Sequence, residues 1–138
     1  MSHFVTDCSV TMCWCFPDEA DPYAARILER LDVDETVVPA IWSLEVTNVL
    51  LIGERRKRLS EADSLRFLGV LRALPIIVDD TPVGQTQDDI LALGRRHNLS
   101  SYDAAYLELA MRQGVPLATL DERLVVAARD SGVALVAL

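Results

Sequence analysis

The chain has 138 residues, of which 51% are hydrophobic and 25% charged, with a formal net charge of −8. These proportions exclude a disordered chain and predict one folded domain over residues 1–138. The negative charge excludes a general nucleic-acid coat protein but not an enzyme that acts on nucleic acid through metal ions. No apolar run reaches the roughly 20 residues that span a bilayer, and no signal peptide is evident. We therefore expect a cytoplasmic protein without membrane contact.

Predicted strands and helices alternate along the chain. Proline, aspartate or serine opens most of the helices, and glycine follows several of them. The predicted strands cover residues 3–10, 36–39, 75–79, 115–120 and 133–138, and the predicted helices cover about 21–31, 40–58, 61–73, 81–97, 101–112 and 121–129. The nearly continuous apolar character of the strands predicts a three-layer α/β/α domain around a mostly parallel sheet of about five strands.

The first predicted strand contains an acidic residue, Asp7, in the run H-F-V-T-D-C-S-V. A carboxylate in an apolar segment is costly unless it is paired or bound to a metal ion. Ligands of open parallel sheets bind beyond the carboxyl ends of the strands. Asp7 is therefore a candidate for one wall of an active site.

Two further acids lie on apolar stripes of predicted helices. Glu45 shares its stripe with Ile41, Val49 and Ile52, and Asp103 shares its stripe with Tyr106, Leu107 and Ala110. We expect both stripes to face the core, which places both acids near the sheet.

A fourth acid, Asp121, directly follows a predicted strand. Each acid also has a purely structural explanation. Asp103 could favour a helix N-terminus, Glu45 could pair with an arginine, and Asp121 could be an N-cap. Four acids at one sheet edge would repel one another unless a cation neutralised them. Carboxylates without histidine or cysteine suit Mg²⁺ or Mn²⁺, which can support hydrolysis of phosphodiester bonds.

Four segments around these acids resemble the acidic motifs of PIN-domain ribonucleases, and in particular the VapC-like toxins of toxin–antitoxin pairs. The segments are T-D-C-S-V, S-L-E-V-T-N-V-L, S-S-Y-D-A-A-Y-L-E-L-A and A-T-L-D-E-R-L, which begin at residues 6, 43, 100 and 118. The resemblance implies a metal-dependent endoribonuclease that forms a homodimer and is inhibited by a cognate antitoxin protein. Its substrate would be RNA.

The resemblance also implies roles for individual residues. Asp7, Glu45, Asp103 and Asp121 match the four acids, and Asp7, Asp103 and Asp121 would hold Mg²⁺ or Mn²⁺ directly or through water. Glu45 would complete the shell or orient the attacking water. Ser9, Asn48 and Thr119 match supporting positions.

Two alternatives to this enzyme remain open. One is a PIN-like module that binds protein or RNA with little catalysis, and the other is a PIN nuclease of RNA processing outside a toxin pair. The basic run of residues 55–58 is expected to be the solvated end of a helix, although it could contact a phosphate backbone. Cys8, Cys13 and Cys15 are expected to be reduced and mostly buried thiols.

Overall fold

The computed structural model describes residues 2–137. Four strands and seven α-helices are present in that range. The strands are β1 (His3–Thr6), β2 (Glu35–Val38), β3 (Ile76–Val78) and β4 (Leu117–Ala118). The helices are α1 (Cys8–Cys15), α2 (Pro22–Arg30), α3 (Ile41–Arg55), α4 (Glu61–Ala73), α5 (Val83–His97), α6 (Ser101–Gln113) and α7 (Glu122–Asp130).

The four strands form one parallel sheet in the order β3-β2-β1-β4. β1 is central, with Phe4 opposite Thr36 on β2 and Val5 opposite Leu117 on β4. Every connection between neighbouring parallel strands is a crossover that contains at least one helix. The carboxyl ends of the strands consequently meet along one edge, as a parallel α/β sheet requires.

Two apolar clusters cover the two faces of this sheet. Phe4 packs with Ile27 and Leu31 of the α2 segment, whereas its neighbour Val5 belongs to the larger cluster that contains Val46 of α3 and Leu107 of α6. Successive residues of a strand point to opposite faces, so the clusters lie on opposite sides of the sheet. The predicted three-layer α/β/α architecture is confirmed.

The first predicted strand is four residues too long. β1 ends at Thr6, and Asp7 becomes the N-cap of α1, with its carboxylate accepting a hydrogen bond from the amide of Val10 at 3.3 Å. An aspartate that caps the chain in this way lets cysteine, valine and threonine continue as a helix, despite their preference for strands. Helix α1 was not predicted.

The predicted fifth strand is reduced to one bridge in the described residues. Leu135 pairs in parallel with Leu117, next to β4. The last residue of that prediction, Leu138, lies outside the described residues. The sheet therefore has four strands, with this bridge beyond β4 in place of a fifth.

Helix α3 ends at Arg55 rather than at residue 58, because the next residues turn back on the helix. Lys57 adopts a left-handed conformation with φ 59°. The amides of Arg58 and Leu59 both donate to the carbonyl oxygen of Gly53, at 2.8 and 3.3 Å. The basic run is thus exposed at the end of α3 and in the turn after it, in agreement with the expected solvated helix end.

Two further sequence predictions concern thiols and membranes. Cys8, Cys13 and Cys15 are all free thiols on α1, and they are half-buried rather than mostly buried. Within residues 2–137, no helix combines the length and apolar character that crossing a bilayer demands.

Two glycines provide a matched test of packing in this fold. A Cβ at Gly53 would lie 2.9 Å from Cδ1 of Leu59 and 3.3 Å from Cζ of Phe16, whereas a Cβ at the exposed Gly69 of α4 would meet nothing within 4 Å. Gly69→Ala should raise the free energy of unfolding by about 0.5–1 kcal/mol through helix propensity. Gly53→Ala shares that gain but must displace the side chain of Leu59, so its free energy of unfolding should lie about 1–3 kcal/mol below that of Gly69→Ala. Urea denaturation measures both, and a stabilising Gly53→Ala would contradict the crowded packing.

Candidate active site

Asp7 lies at the carboxyl edge of the sheet, directly after the central strand. Its amide donates to the carbonyl oxygen of Ala118 at the end of β4. Only 3% of the residue is exposed. The site is therefore built on the pair of strands that carries Asp7 on one side and the residues leading to Asp121 on the other.

Two hydroxyl groups hold the carboxylate of Asp7. Thr119 donates to Oδ2 at 2.5 Å, and Ser9 donates to Oδ1 at 2.6 Å. Each hydroxyl also accepts a hydrogen bond from a backbone amide of the loop after β4. The amide of Asp121 donates to Thr119 Oγ1, and the amide of Leu120 donates to Ser9 Oγ. Ser9 and Thr119 therefore join Asp7 to the loop that carries the fourth acid, as supporting residues of a site would.

Burial makes Asp7 a weaker acid than an ordinary aspartate. The pKa of Asp7 rises from 3.8 to about 6, chiefly because the carboxylate is removed from water, although the bonds from Ser9, Thr119 and Val10 oppose the rise. Repulsion from Asp103 adds to it. The protein thus keeps a buried negative charge that a nearby cation would stabilise.

Glu45 lies on the first turns of α3 and is half-buried. The hydroxyl of Tyr106 on α6 donates to Oε1 of Glu45 at 2.5 Å. Burial raises the pKa of Glu45, the bond from Tyr106 lowers it, and repulsion from Asp103 raises it further. A buried tyrosine therefore fixes the position of this carboxylate across two helices.

The helical stripe predicted for Glu45 is wrong in detail. The residues of α3 that enter the core are Trp42, Val46 and Leu50. Ile41 and Val49 are half-buried, and Ile52 is 36% exposed. Glu45 therefore lies at the border of the buried face, next to the buried Val46.

Asp103 lies in the first turn of α6. Its backbone amide donates a hydrogen bond to the hydroxyl of the N-cap Ser100 at 3.1 Å. Its predicted stripe is confirmed, since Tyr106, Leu107 and Ala110 are buried. Burial is the main cause that raises the pKa of Asp103, and repulsion from Asp121 is the next. Asp103 also raises the pKa of both Asp7 and Glu45. It is therefore the one acid of the four that interacts electrostatically with each of the others.

Asp121 is the N-cap of α7, and its carboxylate accepts the amide of Leu124 at 3.0 Å. The structural explanation proposed for this residue is thus correct. Its half-buried side chain nevertheless lies within electrostatic range of Asp103. A capping carboxylate has two oxygens with free lone pairs, so one cap bond leaves the group able to bind a cation as well.

The donor set suits a hard divalent cation, although the described residues do not present a closed cage. No three histidine, cysteine, aspartate or glutamate side chains within residues 2–137 group closely enough to hold an ion together. Mg²⁺ keeps several water ligands and is commonly held through one or two carboxylates. The buried Asp7 lies within electrostatic range of Asp103, and Asp103 within range of Asp121, so these carboxylates provide oxygen ligands of that kind.

Three aspects of the site did not follow from the sequence. Tyr106 was expected only as a core residue, and its bond to Glu45 was not foreseen. Burial, followed by repulsion from Glu45 and Asp7, raises the pKa of the Cys8 thiol to about 12. Asn48 was expected to support the site, but it is exposed and makes no side-chain hydrogen bond among the described residues.

The chain matches a known family and a known ribonuclease over most of its length. The family model of the PIN domain matches residues 5–130. Ribonuclease VapC3 of Pyrobaculum aerophilum is 30% identical over 120 residues, which cover 87% of this chain and 90% of that protein.

Two solved structures share the fold. The crystal structure of PAE2754 from Pyrobaculum aerophilum superposes with a TM-score of 0.69 at 20% identity, covering 91% of this chain and 85% of that one. The crystal structure of FitAcB from Neisseria gonorrhoeae gives a TM-score of 0.60 at 19% identity, covering 97% and 96%. The sequence match over most of the chain shows that this protein belongs to the PIN domain family.

Proposed function

We propose that this protein is a metal-dependent endoribonuclease that hydrolyses phosphodiester bonds of RNA at the edge formed by Asp7, Glu45, Asp103 and Asp121. The observation that carries the proposal is the carboxylate of Asp7, which is only 3% exposed at the carboxyl edge of the sheet and which Ser9 and Thr119 join to the loop of Asp121, with Asp103 within electrostatic range. Such clustering of like charge raises the free energy of the folded chain, and a bound cation would relieve it. Similarity to Ribonuclease VapC3 supports the choice of RNA as substrate.

The residues divide into two roles in this proposal. Asp7, Asp103 and Asp121 would hold Mg²⁺ or Mn²⁺, directly or through water. A divalent cation at such a site supplies Lewis-acid stabilisation of phosphate oxygens and lowers the pKa of a bound water. Glu45, fixed by Tyr106, would orient the attacking water or accept its proton. Ser9 and Thr119 would hold Asp7 in place.

Family membership also suggests partners. We propose that the protein is the toxin of a toxin–antitoxin pair, that it forms a homodimer, and that a cognate antitoxin covers the acidic edge. A PIN nuclease of RNA processing would use the same four acids, and the gene beside this one would distinguish the two. A binding module without catalysis is less favoured, because all four acids are present and their surroundings raise the pKa of three of them.

Neutralising Asp103 should abolish cleavage without unfolding the protein. Asp103→Asn removes one of the negative charges that would hold the metal ion. We therefore expect RNA cleavage to fall by at least roughly a hundredfold while thermal stability is kept. The assay digests total RNA with Mg²⁺, with Mn²⁺ or with chelator, and maps new 5′ ends by sequencing. Asp88→Asn on the exposed side of α5 is the matched control. Undiminished cleavage by Asp103→Asn would contradict the assignment of Asp103 to the active site.

Stability should fall as pH rises through the titration of Asp7. The folded state holds this proton more tightly than the unfolded chain, since the pKa is about 6 instead of 3.8. The group's contribution is therefore fully present below pH 3.8 and is lost by about pH 6, a change of about 3 kcal/mol. The stability difference between the wild type and Asp7→Asn should change by that amount across the window, measured by urea denaturation in chelator.

Added Mn²⁺ should reverse this loss above pH 6, because binding to the folded state adds stability. The melting temperature of the wild type should rise with Mn²⁺ at pH 7.5 and much less at pH 5, where protons compete. Asp7→Asn should show little response at either pH. An equal response of the two proteins would mean that Asp7 does not contact the ion.

Removing the Tyr106 hydroxyl should shift the pH dependence of cleavage. Tyr106→Phe deletes the donor to Glu45, so the pKa of Glu45 should rise and the acid limb of kcat/KM should move to higher pH. The free energy of unfolding should fall by about 1–3 kcal/mol. Tyr23→Phe is the matched control, since its hydroxyl donates to the carbonyl of Val136 at 3.0 Å. That control should lose stability without moving the pH profile.

A further inference from the structure

A pocket of about 170 Å³ opens where β2 and β3 end, at the carboxyl edge of the sheet, with Pro39 and Asp79 in its lining. It lies between the first turns of α3 and α6 and the start of α5. Tyr102, which lines it, immediately precedes Asp103, and Ile41, on its other side, lies one helical turn before Glu45. The pocket and the proposed catalytic edge therefore share two helix N-termini.

The walls of this cavity, which we call the Tyr102 pocket, are largely apolar. Ile41, Val83, Ile90 and Ala105 line it together with the ring of Tyr102. Tyr102 is 56% exposed and Val83 59% exposed, so both side chains are accessible at the mouth of the pocket. Pockets that take drug-sized ligands have roughly 300–1,000 Å³, so this one has room for a single planar ring system.

One wall of the pocket is polar and presents oxygen acceptors. Arg112 donates from Nη2 to Asp79 Oδ2 and from Nε to Glu108 Oε2, both at 2.8 Å, and its third nitrogen, Nη1, donates to the hydroxyl of Thr81 at 3.2 Å. The bond from Arg112 is the main cause that holds the pKa of Asp79 below its usual range. The guanidinium is thus occupied by two carboxylates, each of which keeps lone pairs free.

We propose that the Tyr102 pocket receives one base of the RNA, next to the phosphate that is cut, and so contributes to sequence specificity. This inference rests on the proposed function and adds to it a base-binding subsite. Single-stranded RNA is commonly recognised by splaying out a base, stacking it on an aromatic side chain and bonding its edge. The acceptors of Asp79 and Glu108 favour a base with an amino group over uracil.

Other occupants predict different behaviour. A second copy of this chain could cover the exposed ring of Tyr102, in which case its removal would change the oligomeric state. An apolar side chain of a partner protein could fill the pocket without any effect on RNA binding. Neither explains why the pocket shares the N-termini of α3 and α6 with Glu45 and Asp103 and has carboxylate acceptors in its wall, and the nucleobase explains both.

The test combines binding and cleavage. Fluorescence anisotropy measures the binding of single-stranded oligo(A), oligo(C), oligo(G) and oligo(U) to Asp103→Asn, in which cleavage is expected to stop. Adding Tyr102→Ala should weaken the binding of the favoured RNA by roughly fivefold to a hundredfold, and Tyr102→Phe should keep it within about twofold. Leu91→Ala, an exposed apolar residue of α5 outside the pocket, is the matched control.

Cleavage mapping in the otherwise unchanged protein completes the test. Tyr102→Ala should cut with a relaxed base preference at one position beside the cut, whereas Tyr102→Phe should keep the preference. RNA binding that depends on Tyr102 without cleavage by the wild type would contradict the nuclease and support the pocket. Unchanged binding and unchanged cut sites in Tyr102→Ala, a preference for uracil at that position, or a change only in oligomeric state would each overturn the proposal.

Discussion

The structure depends on the burial of one carboxylate, Asp7, at the carboxyl end of the central strand. A charge that is 97% covered is tolerated because Ser9 and Thr119 each donate to it and Val10 supplies a backbone amide. The same two hydroxyls accept amides from the loop after β4. One set of hydrogen bonds thus stabilises the acid, starts helix α1 and fixes the loop that leads to Asp121.

The acids around Asp7 illustrate a conflict between stability and function. Asp103 raises the pKa of Asp7 and of Glu45, and its own pKa is raised in part by Asp121. A fold selected for stability alone would separate these charges or pair them with arginine. Arginines of this chain form ion pairs at other places. Arg112, for example, pairs with both Asp79 and Glu108 at the Tyr102 pocket. An edge that keeps unpaired carboxylates together is better suited to binding a cation than to resisting unfolding.

Several features were predictable because they depend on local chemistry. Ser100 before α6, Gly114 after it, and Asp21 with Pro22 at α2 have the cap geometries expected of those residues. Helix α4 was predicted to the residue. Other features were not local. The T-D-C-S-V segment has the composition of a strand, and only the capping bond of Asp7 shows that it turns into a helix. The C-terminal segment resembles a strand but makes one bridge, because pairing depends on what lies beside it.

The sequence by itself determined the alternation of strands and helices, the parallel sheet, and the four acids at strand ends and helix starts. These are consequences of apolar periodicity and of the position of each acid along its own element. Only the tertiary structure decided which groups meet: the hydroxyl of Tyr106 with Glu45, and Thr119 with Asp7 across two strands. Such contacts join residues as many as 112 positions apart, so no local pattern encodes them.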